Sequence, residues 1–164
     1  MTLVRWLGQA SLVLALMLPM ALSAEPASES DPASAAPVLG IEVLLAEPLT
    51  LLRGKRIGLI TNPTGVDREL RSSIDLLAKH PDLQLVALFG PEHGVRGNAQ
   101  AGEKVGASVD AATGLPVFSL YGEHREPTAE MLQGIDVLLF DIQDVGARFY
   151  TYPYTLAGAM RAAR

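Results

Sequence analysis

The chain has 164 residues, of which 49% are hydrophobic, so its composition is that of a folded domain and argues against general disorder. Its formal net charge of −5 at pH 7 leaves no basic surface of the kind that binds nucleic acid. It contains no cysteine, which excludes a disulfide framework and a cysteine-linked lipid anchor.

The N-terminal residues have the layout of a secretory signal peptide. Residues 1–24 begin with a single basic residue, Arg5, continue through an apolar run over residues 10–22, and end in small residues. A membrane anchor is the alternative, but the run is shorter than the ~20 residues of a spanning helix and contains Pro19. We therefore predict cleavage, export to the periplasm or the exterior, and no stable membrane anchor. Residues 25–38, rich in Ala, Ser and Pro, are predicted to be a disordered linker.

The first half of the remaining sequence alternates strand and helix patterns. Residues 40–46 fit either a short helix or a strand, and the apolar run 57–61 predicts a strand. The spacing of Leu70 with the apolar residues after it predicts a helix over residues 70–80, which Pro81 stops.

The second half continues this alternation. Three further strands are predicted, over residues 83–89, 116–120 and 135–140. A short helix capped by Thr128 precedes the last of these strands, and a longer helix is predicted over residues 155–164.

Strands that alternate with helices predict an α/β fold, here a Rossmann-like, mostly parallel sheet with flanking helices over residues 39–164. The last helix has no glycine cap and no following strand, so we expect the chain to stop before a C-terminal domain. Ligands of such sheets bind beyond the carboxyl ends of the strands. Polar residues follow each predicted strand at that edge, which predicts one cleft there, and they are Asn62, Glu92, His93, Tyr121, Glu123, Asp141 and Asp144.

The segment after the second strand carries the clearest catalytic pattern. Pro91 and Gly94 flank Glu92 and His93, so a carboxyl group is held at a strand tip, where a general acid could act. A structural alternative has Glu92 capping a helix or pairing with Arg96. His93 could orient Glu92, contact substrate, or form a structural hydrogen bond.

The segment after the fourth strand is more ambiguous. Asp141 and Asp144 suit a cation or a sugar, but one could equally accept backbone N–H bonds while the other pairs with Arg148. Arg148 and Tyr150 suit a sugar or carboxylate surface, with core packing as the alternative for the aromatic ring. Asn62 could contact a ligand, although Asn before Pro is more often a turn residue.

Metal and nucleotide chemistry are disfavoured. The three histidines have no zinc-ligand spacing and there are no thiolates. The glycine-rich run over residues 97–104 departs from a P-loop because Glu103 replaces its lysine, and no dinucleotide fingerprint follows the first strand. We predict no metal and no cofactor.

Four blocks of sequence resemble a known family. They are GLITNPTG (58–65), LFGPEHGVRG (88–97), TGLPVFSLYG (113–122) and FDIQDVGARFYTY (140–152). Together they resemble the NamZ-type exo-β-N-acetylmuramidases over about residues 40–164. The resemblance implies a bacterial glycosidase that releases N-acetylmuramic acid from the non-reducing end of peptidoglycan fragments during cell-wall recycling. It also implies a Rossmann-like N-terminal domain followed by a C-terminal domain.

Residue patterns and resemblance together define the candidate site. The catalytic candidates are Glu92, His93 and Asp141, with Glu92 as the acid/base. The substrate-binding candidates are Asn62, Arg96, Glu103, Tyr121, Asp144, Arg148 and Tyr150. Two other functions also fit these residues: a module that binds a cell-wall sugar without cleaving it, and a metal-dependent phosphoesterase-like hydrolase using Asp141 and Asp144.

Overall fold

A five-stranded sheet forms the centre of the computed structural model, which describes residues 36–47, 49–97 and 108–164. The strands are β1 (Arg56–Thr61), β2 (Gln84–Gly90), β3 (Ser108–Val109), β4 (Pro116–Ser119) and β5 (Val137–Asp141). The helices are α1 (Gly40–Ala46), α2 (Ser73–Lys79) and α3 (Tyr152–Ala162). The predicted signal peptide and most of the predicted linker lie outside the described residues.

The sheet has the strand order β3-β4-β2-β1-β5. β1 pairs in parallel with β2 and with β5, and β2 pairs in parallel with β4, while β3 alone is antiparallel to its neighbour β4. The predicted α/β fold with a mostly parallel sheet is therefore confirmed.

The central strands are apolar along their length because the sheet is covered on both faces. Successive residues of a strand point to opposite faces, so Leu59 belongs to one core cluster and Ile60 to the other. Ile74 of α2 packs into the cluster of Leu59, and Ala159 of α3 into that of Ile60. This arrangement secures β1 and β2, so the loops that follow them start from a rigid base.

Helix α2 is shorter than the periodicity predicted, and its predicted start at Leu70 is wrong. The side chain of Ser72 accepts a hydrogen bond from the Ile74 amide at 3.3 Å and caps the helix. Leu70 lies before this cap with a positive φ of 60° and an exposed fraction of 79%. The cap and the turn that precedes it outweigh the apolar spacing, and Leu70 does not join the core.

Residues 40–46, which fit either a short helix or a strand, form helix α1. Other elements differ from prediction. The segment after Thr128 is a hydrogen-bonded turn and not a helix, although the Thr128 hydroxyl accepts the predicted bond from the Met131 amide at 3.4 Å. α3 begins three residues early because Pro153 fits the first turn of a helix. β3 was not predicted. Among the described helices, none combines the length and apolarity needed to cross a bilayer.

Candidate active site

The carboxyl ends of four parallel strands meet at one edge of the sheet. Ser119 of β4 lies beside Gly90 of β2, and Thr61 of β1 lies beside Asp141 of β5. Neighbouring strands are about 4.8 Å apart, so the segment after β4 lies next to the Glu92 segment, whereas β5 lies two strands from β2. This topology gathers the predicted strand-end residues on one side of the molecule.

A tight turn presents Glu92 at the end of β2. The Gly94 amide donates to the Pro91 carbonyl at 3.0 Å, and both His93 and Gly94 have left-handed backbone conformations, with φ of 74° and 73°. A Cβ on Gly90 would lie 3.0 Å from the Gly94 Cα, so this glycine allows the turn to fold back on its strand. The turn leaves Glu92 half-buried and His93 exposed. A non-glycine residue in a left-handed conformation is uncommon and is often found at functional sites.

Two cavities adjoin the Glu92 side chain, and both are lined by Glu92 and Thr151. The larger cavity has a volume of about 760 Å³ and is also lined by Leu120, Tyr121, Gly122, Arg125, Glu126, Tyr154, Thr155 and Arg161. The smaller cavity has a volume of about 260 Å³ and is also lined by His93, Phe149, Tyr150 and Tyr152. The structure thus brings together four sequence-predicted site residues, namely Glu92, His93, Tyr121 and Tyr150.

Tyr121 is the polar neighbour of Glu92 in the larger cavity. A hydrogen bond to the Glu92 carboxylate, and then the charge of that carboxylate, raises the pKa of the Tyr121 phenol, while the nearby Arg125 guanidinium lowers it. The phenol therefore stays protonated near neutral pH, and it lies beside Glu92 in the cavity lining.

Aromatic rings form a wall of the smaller cavity. The ring centroids of Phe149 and Tyr150 are 5.4 Å apart, and those of Tyr150 and Tyr152 are 5.8 Å apart. Phe149 is 83% exposed and Tyr150 39% exposed, so these two rings are not core residues. Exposed rings beside a carboxyl group provide an apolar surface on which a sugar ring can stack.

Asp141 belongs to a different hydrogen-bond network. Its carboxylate accepts a hydrogen bond from the Ser73 hydroxyl, and its carbonyl accepts one from the Thr61 hydroxyl at 2.7 Å. Gly65 permits this packing, because a Cβ there would collide with the Thr61 hydroxyl and lie 2.8 Å from the Asp141 carbonyl oxygen. Asp141 therefore joins β1, β5 and the start of α2, and it lines neither of the two cavities that adjoin Glu92.

Asp144 and Arg148 are exposed and line neither cavity. The Asp144 carboxylate accepts a hydrogen bond from the Gly146 amide at 2.7 Å. Within residues 36–47, 49–97 and 108–164, Arg148 forms no salt bridge with Asp144, and no group of three potential metal-ligating side chains occurs.

The remaining substrate-binding candidates are Asn62, Arg96 and Glu103. Asn62 is buried, and its side-chain oxygen accepts hydrogen bonds from the Thr64 amide at 2.9 Å and the Thr64 hydroxyl at 2.6 Å. This geometry corresponds to the turn that its sequence context favours. Glu103 lies outside the described residues.

Arg96 lies just after the Glu92 turn and joins it to two other parts of the fold. Its guanidinium donates to both carboxylate oxygens of Asp110 at 2.9 Å and to Asp75 of α2 at 2.8 Å. Asp110 is nearly buried and also accepts hydrogen bonds from the backbone amide and hydroxyl of Thr113. Arg96 therefore pairs with these two carboxylates and not with Glu92.

Low pH is expected to reduce the free energy of unfolding, because Asp110 becomes protonated. Hydrogen bonds from Arg96, opposed in part by burial, lower the pKa of Asp110 from 3.8 to about 2. Because the folded-state pKa is depressed, this stabilisation is complete above the unfolded pKa and is lost as the pH falls from about 4 to about 2. It amounts to about 2 kcal/mol for a carboxylate that is 7% exposed. Urea unfolding of the wild type and Asp110→Asn at pH 5.5 and pH 2.5 measures it. The stability gap between the two proteins should shrink at the lower pH, and a constant gap would contradict the assignment.

Sequence patterns missed part of the larger cavity. Arg125 and Glu126 stand in an irregular segment after β4, and Arg161 is a residue of α3. No motif singles out these residues. Position in the sequence could have pointed to Arg125, because it lies four residues after Tyr121, in the segment that follows the end of β4.

The chain is similar in sequence to a known protein family. The family model described as exo-β-N-acetylmuramidase NamZ, N-terminal, matches residues 57–164. Peptidoglycan β-N-acetylmuramidase NamZ of Bacillus subtilis (strain 168) is 58% identical over 145 residues, which cover 88% of this chain and 35% of that protein. The chain thus spans about a third of the length of this curated relative.

Two crystal structures of DUF1343 family proteins from Bacteroides fragilis NCTC 9343 have a similar fold. One superposes with a TM-score of 0.70 and 56% identity, over 77% of this chain and 31% of the other. The second gives a TM-score of 0.61 and 35% identity, over 76% of this chain and 31% of the other.

Proposed function

Because this chain belongs to the exo-β-N-acetylmuramidase NamZ family, we propose that the protein is a glycoside hydrolase acting on peptidoglycan fragments. The bond cleaved is the one that joins a terminal, non-reducing N-acetylmuramic acid to the next sugar. The B. subtilis relative is named for a peptidoglycan β-N-acetylmuramidase activity. The match to the family model, over residues 57–164, includes the strand-end segments that form the cavities.

The observation that carries this proposal is the position of Glu92. It is the one carboxyl group, among the described residues, that lines both cavities of this edge. A glycosidic bond that bridges the two cavities would pass beside it. Together the cavities offer space for a disaccharide, with aromatic rings on one side and polar groups on the other.

The chemistry follows from that position. A protonated Glu92 donates its proton to the glycosidic oxygen as the bond from that oxygen to the anomeric carbon breaks. Water then supplies a hydroxyl to the anomeric carbon, and its remaining proton restores the acid. The products are free N-acetylmuramic acid and a fragment shorter by one sugar. The Tyr121 phenol lines the same cavity as Glu92, where it can donate a hydrogen bond to the carboxylate that forms as the proton leaves.

Export is part of the proposal, because peptidoglycan lies outside the cytoplasm. The layout of residues 1–24 supports a cleavable signal peptide, and the following Ala, Ser and Pro-rich residues support a spacer between the signal and the folded domain. The mass of the mature protein recovered outside the cytoplasm tests this part of the proposal. An intact N-terminus there would contradict cleavage.

Release of free N-acetylmuramic acid from a disaccharide tests the activity. The protein, expressed from its complete reading frame, is incubated with a disaccharide bearing N-acetylmuramic acid at its non-reducing end, and products are followed by mass spectrometry. The control is the disaccharide with the sugar order reversed, which should remain intact. Sugar binding without release would favour a binding module, and activity abolished by EDTA would favour the metal-dependent alternative.

A further inference from the structure

The charged side chains that line the larger cavity are those of Glu92, Arg125, Glu126 and Arg161. Arg161 pairs with Glu126 at 2.8 Å, so these two lining residues offset each other. Arg125 lines the same cavity and forms no salt bridge with any residue in the described part of the chain. A guanidinium in a cavity attracts an anionic ligand, and a carboxylate can accept two parallel hydrogen bonds from it.

The backbone that carries Arg125 is held firmly against α3. A Cβ on Gly158 would lie 2.9 Å from the Glu126 Cβ and 3.4 Å from the Arg125 carbonyl oxygen. The absence of a side chain at Gly158 therefore lets the 125–126 segment lie directly on the helix. Pro127, which follows, is buried. Arg125 thus projects from a fixed backbone, which favours its use in recognition.

Arg125 also lies close to the proposed reaction centre. Its charge reaches the Tyr121 phenol, which itself lies beside Glu92 in the cavity lining. A ligand carboxylate bound by Arg125 would therefore occupy the larger cavity while the attached sugar ring extends toward Glu92. Arg148, the arginine that the sequence suggested for this role, lines neither cavity.

We propose that Arg125 determines substrate specificity by binding a carboxylate carried by the sugar in the larger cavity. The inference rests on the proposed function and deepens it. In the proposed substrate this carboxylate belongs to the lactyl group of N-acetylmuramic acid. N-acetylglucosamine has no such group. The larger cavity then holds the sugar that is released, and the aromatic wall of the smaller cavity faces the sugar that remains.

Paired substrates test this assignment. Arg125→Met and Arg125→Lys are compared with the wild type on a muramic-acid-terminated disaccharide and on the same disaccharide with its lactyl carboxylate converted to a neutral amide. We expect Arg125→Met to lower kcat/KM for the acid by about 10- to 100-fold and for the amide by much less. Arg125→Lys keeps the charge but not the planar guanidinium, so its kcat/KM for the acid should lie between those of the wild type and Arg125→Met.

The ratio of acid to amide turnover is the decisive readout, because it does not depend on the fraction of folded enzyme. Arg53→Met, at an exposed arginine that lines neither cavity, is the matched control and should keep the wild-type ratio. An unchanged ratio in both Arg125 variants, with an active wild type, would overturn the role of Arg125 alone. A wild type that releases no sugar from either substrate would overturn the proposed function and this inference together.

Discussion

Glu92→Gln is expected to reduce release of N-acetylmuramic acid by about 10²- to 10⁴-fold in kcat, the usual contribution of a positioned proton donor. Glutamine has the same shape and its side-chain oxygen can still accept a hydrogen bond from Tyr121, so the cavity walls should keep their arrangement. It cannot donate a proton to a leaving glycosidic oxygen. The loss should therefore appear in kcat, whereas binding of the substrate should persist.

Kinetics and calorimetry together decide this prediction. Turnover is followed by mass spectrometry, and substrate affinity of the inactive variant is measured by titration calorimetry. Glu123→Gln is the matched control, because Glu123 also follows β4 but is exposed and lines neither cavity, so its turnover should stay within about twofold of the wild type. If Glu92→Gln turned over at the wild-type rate, the proton would have to come from another group.

The central strands of this fold could be predicted because strands buried on both faces consist of consecutive apolar residues. β1 and β2 are such runs, and their ends lay within one residue of prediction. The start of α2 could not be predicted from spacing, because the Ser72 cap fixes the helix boundary after Leu70. β3 consists of two residues and is too short to show a period.

The candidate site was predictable for residues whose position follows directly from the sheet topology. Glu92 and Tyr121 come just after parallel strands, so their convergence at one edge follows from the fold class alone. Asp141 also follows a strand, but it bonds to Ser73, which lies 68 residues earlier in the chain. A local sequence pattern cannot indicate a partner that lies so far away along the chain. Arg125 lies in irregular structure, where residue spacing carries no information about which side chains line a cavity.

Arg96→Met is expected to lower the free energy of unfolding by about 3–5 kcal/mol, because it removes one partner of a nearly buried ion pair. The Asp110 side chain is 5% exposed and would lose both hydrogen bonds from the guanidinium, leaving its charge supported by Thr113 alone. Asp75 of α2 would lose its contact with the Glu92 turn at the same time. Since Arg96 lies just after the Glu92 turn and joins it to Asp110 and Asp75, we expect kcat to fall as well, while substrate affinity changes less.

Denaturant unfolding of the protein from its complete reading frame measures the stability change. Arg53→Met is the control, because its 3.9 Å pair with Asp82 is exposed on both sides and should contribute less than about 0.5 kcal/mol. A double-mutant cycle isolates the pair: in an Asp110→Asn background, Arg96→Met should cost much less than it does alone. Equal costs in the two backgrounds would mean that Arg96 stabilises the fold through contacts other than Asp110. If Arg96→Met lowered the free energy of unfolding no more than Arg53→Met does, the ion pair would not be what holds the Glu92 turn in place.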